Sequence, residues 1–277
     1  MNNRLKTATR IILLGFCFWS INSFGQNLVT RNTAIDLTGF DVDHLGNSYF
    51  LYNTTLVKYN KTGQETSRFA RPDLGAITQF SVFDPMRILL YYNQVNQVWI
   101  LDNQLNPKYE VVNLFDFQKF DVPSVALADE NNLWLYDQID DCLHRYDLKF
   151  ASIKLSSQPI TPLIGFELEV SLLRAHPNGL VLLSNKGLAF FDNLGNFVFF
   201  WSHSNLNDVH WHGIFWIASS NNHFYKIDTN SQLVEEINIP CCKETYSYWA
   251  SDKKSIWFWH NRLKECDLQE LSEERTK

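Results

Sequence analysis

Asn53, Asn93, Asp137, Asp140, Asn185, Asn221, His260 and Asn261 share one setting: each sits in a polar turn between two runs of aliphatic and aromatic residues. The amide and carboxylate oxygens of the Asn and Asp residues can coordinate a hard divalent cation such as calcium, or hydrogen-bond a protein or glycan surface. The same residue types also make tight turns on their own, because Asn and Asp tolerate positive φ and bond their own backbone. Asp141, Asn222, Glu167, Glu169, Asp208 and Tyr246 fall in comparable loops. His210 and His212 flank Trp211, and alternation along a strand puts both imidazoles on one face. With His203 or His176 they have the chemistry of a zinc site, though an imidazole pair on a strand serves packing equally well. No G-x-S-x-G, H-E-x-x-H or P-loop sequence occurs, and no spacing marks a Ser-His-Asp triad.

The elements that carry these residues repeat. Six units end at Asn60, Asp102, Asp147, Asp192, Asp228 and Asp267, with a mean spacing of about 41 residues. In each, a strand reaches an Asp or His turn, an aromatic-rich strand follows, and a third strand closes on the anchor. A fourth strand is predicted after the turn at the anchor, for example Thr66–Phe69, Tyr109–Asn113, Phe197–Phe200 and Leu233–Ile239. A period near 40 residues with four strands per unit is that of a radial propeller. The expected fold is therefore all-β: a six-bladed β-propeller of four-stranded antiparallel sheets, one domain over 26–267. The sixth unit lacks a fourth strand, and only a charged tail, 268–277, follows it. Residues near Leu28–Thr33 belong to no unit, so they are expected to complete the last blade and remove its open edge. Trp99, Trp134, Trp216 and Trp257 lie in blade strands and are expected to fill the space between sheets.

Residues 1–25 have the order of a secretory signal. Arg4, Lys6 and Arg10 precede the apolar run Ile11–Trp19, and Ser23 and Gly25 set a cleavage before Gln26. The expected destination is the periplasm or cell envelope, or the exterior. Loss of three positive charges takes the formal charge from −6 to −9, and the whole-chain pI is near 5.7. That balance excludes a general nucleic-acid binder. The 45% hydrophobic content excludes a disordered chain, and no apolar run is long enough to span a bilayer. Cys142, Cys241, Cys242 and Cys266 remain after cleavage; their spacing fits no metal knuckle, and free or partly buried thiols are expected.

Two segments carry a family resemblance. Asp43-His-Leu-Gly-Asn-Ser-Tyr-Phe-Leu51 resembles the D-x-x-G-N signature of NHL-type repeats. Ala128-Asp-Glu-Asn-Asn-Leu-Trp-Leu135 resembles the blades of two-component-regulator sensor propellers. The pattern is similar to a broad group that also includes lactonase-like propellers, and it departs at Asp84-Pro-Met-Arg, His212-Gly and Asp252-Lys-Lys-Ser. The resemblance implies a ligand face built from blade-to-blade loops and second-to-third-strand loops. A lactonase-like enzyme would have a Glu on its first inner strand, where Asp41 stands here. The expected function is a non-catalytic binding or scaffold module, acting as a monomer, that presents an acidic, Asn-rich loop face to an envelope protein or glycan. The competing expectations are a metal-dependent hydrolase or lyase on the same face, and a small-ligand sensor.

Overall fold

Ile88–Tyr92 is buried at every position, and its side chains part by simple alternation. Ile88, Leu90 and Tyr92 pack with Tyr49, Leu51 and Leu56, whereas Leu89 and Tyr91 pack with Val125, Leu133 and Leu135. A strand with sheets stacked on both faces needs such an unbroken apolar run. In the computed structural model, which describes residues 37–239, 246–251, 255–260 and 263–267, this arrangement recurs around a ring.

Blade 1 comprises Gly39–Val42, Ser48–Tyr52, Thr55–Tyr59 and Glu65–Ala70. Blade 2 comprises Gln79–Ser81, Ile88–Tyr92, Gln97–Leu101 and Val112–Asn113; blade 3, Ser124–Asp129, Asn132–Asp137, Cys142–Asp147 and Ser152–Ser156. Blade 4 comprises Val170–His176, Gly179–Ser184, Gly187–Phe191 and Phe197–Ser202; blade 5, Asp208–His212, Phe215–Ser220, His223–Asp228 and Leu233–Ile237. Blade 6 shows Tyr248–Ser251, Ser255–Trp259 and Leu263–Asp267. Every sheet is an antiparallel meander in chain order. The six-bladed propeller expected from the repeat is what forms. The strand expected near Leu28–Thr33, the signal segment and the charged tail lie outside the described residues.

Six apolar clusters each bridge one pair of neighbouring blades. The sixth closes the ring: Phe40, Val42 and Phe50 of blade 1 meet Ala250 and Trp259 of blade 6. Tyr248 Oη also donates to the Leu37 carbonyl at 2.5 Å. Trp99, Trp134 and Trp216 are buried as expected, and Trp257 is half-buried against the closing cluster. The fourth strand of blade 2 is shorter than predicted. Leu101 pairs with Pro107 in an isolated bridge, and Asn113 Oδ1 accepts the Phe115 amide and turns the chain into the 3-10 turn Leu114–Phe117.

The recurring Asp residues build the hairpins. Asp43, 1% exposed, accepts the amides of Leu45 and Asn47, both at 2.9 Å, the Asn47 side chain at 2.8 Å and Tyr49 Oη at 3.0 Å. Gly46 supplies the positive φ, 78°, that this turn requires. Asp102 and Asp192 repeat the pattern on Asn106 and Asn196. Replacing Asp43 by Ala strands one buried donor, Tyr49 Oη, and three part-buried ones, and a loss of about 3 kcal/mol is expected in urea denaturation. A loss below about 1 kcal/mol would show that the turn holds without the carboxylate.

The thiols divide. Cys142 is free and buried, and burial raises its pKa. Cys266 is disulfide-bonded, which corrects the free-thiol expectation at that position. Its partner lies outside the described residues, and such pairing depends on tertiary approach, which spacing does not encode.

Candidate functional site

In a four-stranded meander the first and third hairpins lie at one end, and the second hairpin and the blade-to-blade connection at the other. Asn53, Asn93, Asp137, Asp140, Asn185, Asn221 and His260 all fall at the second-hairpin end, each on its own blade except the Asp pair; Asn261 lies outside the described residues. Asn53, Asp141, Asn221 and Asn222 have positive φ, so their residue type is accounted for by the turns they make. Among the described residues the structure gathers only Asp137 and Asp140 of this set.

Their partners were not legible in the spacing. Lys119, from the connection between blades 2 and 3, places Nζ 3.0 Å from Asp137 Oδ2 and against Asp140. His144 Nε2 is 3.1 Å from Asp140 and 3.2 Å from Lys119, and its Nδ1 is 2.8 Å from Ser156 Oγ. Asp137, Asp140 and His144 are the one group of metal-ligand type found among the described residues. The Lys119 ammonium already lies among these groups. Burial opposes the Lys119 charge, but its hydrogen bonds to Asp140 and Asp137 raise its pKa overall. The hydrogen bond from Lys119 holds Asp140 below the usual carboxylate range, and burial, reinforced by Lys119, lowers His144.

At the first-hairpin end the central channel widens into a cavity of about 600 Å³. Its wall comes from inner strands: Asp41 of blade 1, Gln79 and Ser81 of blade 2, Val125 to Asp129 of blade 3, Leu173 to His176 of blade 4 and His210 of blade 5. Gln79 ties three of these strands together. Its Nε2 donates to the carbonyls of Val125 (2.8 Å) and Leu173 (3.1 Å), and its Oε1 accepts Ser124 Oγ at 2.6 Å. Beside it, Arg174 Nη2 reaches Asp208 Oδ1 at 3.1 Å and lies 3.3 Å from His210 Nε2, which is 3.0 Å from Asp208 Oδ2. Asp208, expected in a loop, is the first residue of an inner strand.

Two carboxyls near this chamber shift in opposite directions. Burial pushes the Asp41 carboxyl up, against the pull of His210 and Arg174. Burial also works against ionising Asp208, but Arg174 and His210 outweigh it and hold that carboxyl well below the usual range. Asp208 is held ionised by its two cationic neighbours, whereas nothing bonded to Asp41 offsets the cost of its burial. His210 and His212 do share a strand, yet they separate in role. His212 Nδ1 lies 2.8 Å from Ser251 Oγ, His210 stands edge-on to Trp249 at 4.6 Å, and His176 stacks on Trp211 at 4.0 Å. Arg174 was missed in the sequence; its one local signal is that it is the single Arg or Lys in the inner strand Val170–His176.

No family model matches the chain, and no curated protein matches it. Solved propellers do. A catalytically inactive virginiamycin B lyase from Staphylococcus aureus, with quinupristin, is 14% identical with a TM-score of 0.57, over 86% of this chain and 82% of that one. The Pan2 WD40 domain of Neurospora crassa is 10% identical with a TM-score of 0.57, over 85% and 76%. A chain of the mitotic checkpoint complex is 13% identical with a TM-score of 0.58, over 97% and 98%. At these identities the likeness is one of fold, and the class it defines is the β-propeller.

Proposed function

We propose that this chain is an exported, non-catalytic binding propeller that docks an envelope protein on its first-hairpin end. The observation that carries this reading is the surround of the channel mouth. Leu45, Phe83, Met86 and Ile214 on first hairpins, and Leu194 on a third hairpin, are 48, 42, 50, 80 and 56% exposed. Large apolar side chains on hairpin tips around a concavity favour a protein partner over a glycan. The disulfide at Cys266 supports an oxidising compartment and hence export. Among the described residues no helix is long and apolar enough to cross a membrane. The metal-dependent hydrolase reading at the opposite end would require a cation to displace Lys119 from between Asp137 and Asp140.

Cross-linked pull-down from the cell envelope tests the proposal. The natural chain is expected to recover a protein partner, and Ile214→Asp combined with Met86→Asp to reduce recovery at least ~10-fold, the effect of losing interface anchors. Recovery of no protein, with turnover of lactones or sugars by purified material, would overturn it.

A further inference from the structure

One carboxyl in the channel is left without a partner of its own. Asp41 is 6% exposed, and its Oδ1 accepts the adjacent Val42 amide at 2.8 Å. No side chain among the described residues hydrogen-bonds to it. Each arginine around the cavity pairs with a carboxylate, Arg87 with Asp84, Arg145 with Asp129 and Arg174 with Asp208, although the buried Nε of Arg145 and of Arg174 makes no hydrogen bond. Glu130, exposed where the cavity opens, forms no ion pair among the described residues. The acidic groups of the lining that lack a cation bonded to them are therefore Asp41, whose ionised form burial disfavours, and Glu130. Aromatic rings stand in the same wall: Phe83 lies edge-on to His176 at 5.3 Å, and His176 stacks on Trp211.

We propose that the channel binds an ammonium or guanidinium group, seated toward Asp41, with the apolar body of its bearer against Phe83, Leu127 and Ala175. A buried carboxylate gains most from a partner of opposite charge, and ring faces attract cations. An anion would find the free Nε of Arg145 and Arg174, but it would have to sit against Asp41, Glu130 and the carboxylates those arginines already hold. The volume of about 600 Å³ lies within the range of small-ligand pockets and exceeds that of one amino-acid side chain. The site does not rest on protein docking: Ile214→Asp with Met86→Asp should leave it intact, so the two proposals fail separately.

Isothermal titration of the signal-free protein with agmatine, with 1,5-diaminopentane and with the peptide acetyl-Gly-Lys-Gly-amide is the test, with glutarate and cellobiose as controls. Saturable one-site binding of at least one cation is expected, with no binding of glutarate or cellobiose. Asp41→Asn should weaken it by ~10-fold or more, and Glu130→Gln by about 3-fold. Binding of the small cations assigns the site to a free ligand; binding of the peptide alone assigns it to a lysine presented by a partner chain. Failure of all three cations, equal binding of glutarate, or unchanged affinity in folded Asp41→Asn would overturn the proposal. If Asp41→Asn does not fold, unchanged affinity in Glu130→Gln does so.

Discussion

Lys119→Met is expected to cost about 3 kcal/mol of folding stability and to open a divalent-cation site between Asp137, Asp140 and His144. Lys119 is 8% exposed and Asp137 2%, so removing the ammonium leaves a buried carboxylate facing a second carboxylate and an imidazole. Breaking a buried pair from one side costs several kcal/mol, because the surviving charge stays desolvated. The ligand atoms of the three residues already lie within 4.8 Å of one another, a spacing that a metal ion in place of the ammonium can bridge. Urea denaturation in EDTA should show the loss, and added Zn²⁺ should restore part of it. A variant that keeps its stability, or that Zn²⁺ leaves unmoved, would refute this account of the cluster.

The pH dependence of this cluster has a defined sign. Asp140 is depressed below the ordinary value of 3.8, so the stability it contributes is present above 3.8 and lost as pH falls through its folded value. His144 is depressed below 6.5, so the unfolded chain takes up that proton first and stability falls as pH drops below 6.5. Lys119→Met removes the second-largest cause of the His144 depression, and the acid-side loss starting near pH 6.5 should shrink.

Phe50→Ala is expected to cost about 4 kcal/mol and to loosen the ring at one seam. Phe50 is 1% exposed and packs against Phe40 at 5.2 Å, Tyr59 at 5.5 Å and Trp259 of blade 6 at 4.6 Å. Truncating a buried phenylalanine removes both its burial and the contacts of its neighbours. Consecutive blades are joined by the chain itself, whereas among the described residues blades 1 and 6 meet through side chains such as these. Limited proteolysis below the unfolding transition should therefore cut blade 6 of this variant first. A control, Leu90→Ala at the seam of blades 1 and 2, should lose similar stability without that preference. Equal cleavage in both variants would show that the closing seam has no special vulnerability.

Blade number and strand positions were legible because they rest on neighbours in sequence. Alternation in runs such as Ile88–Tyr92 needs only period-2 geometry, and the Asp43 turn is complete within seven residues. Asp41 was visible as a lone carboxyl in an inner strand. The Asn and Asp residues of the second hairpins were equally visible, but their positive φ values account for several of them as turn formers.

What the amino-acid order settled by itself was the repeated unit, its turns and the apolar faces that stack the blades, all products of local backbone preference and alternation. What the tertiary structure alone decided was which distant groups meet. Arg174 joins Asp208 and His210 across two blades, Lys119 enters the Asp137–Asp140 pair, and Gln79 crosses to a strand 94 residues away. Those meetings depend on the angle at which each blade stands around the axis and on how far each inner strand reaches along it. Sheet twist and packing between blades set both quantities, and no short stretch of sequence contains them.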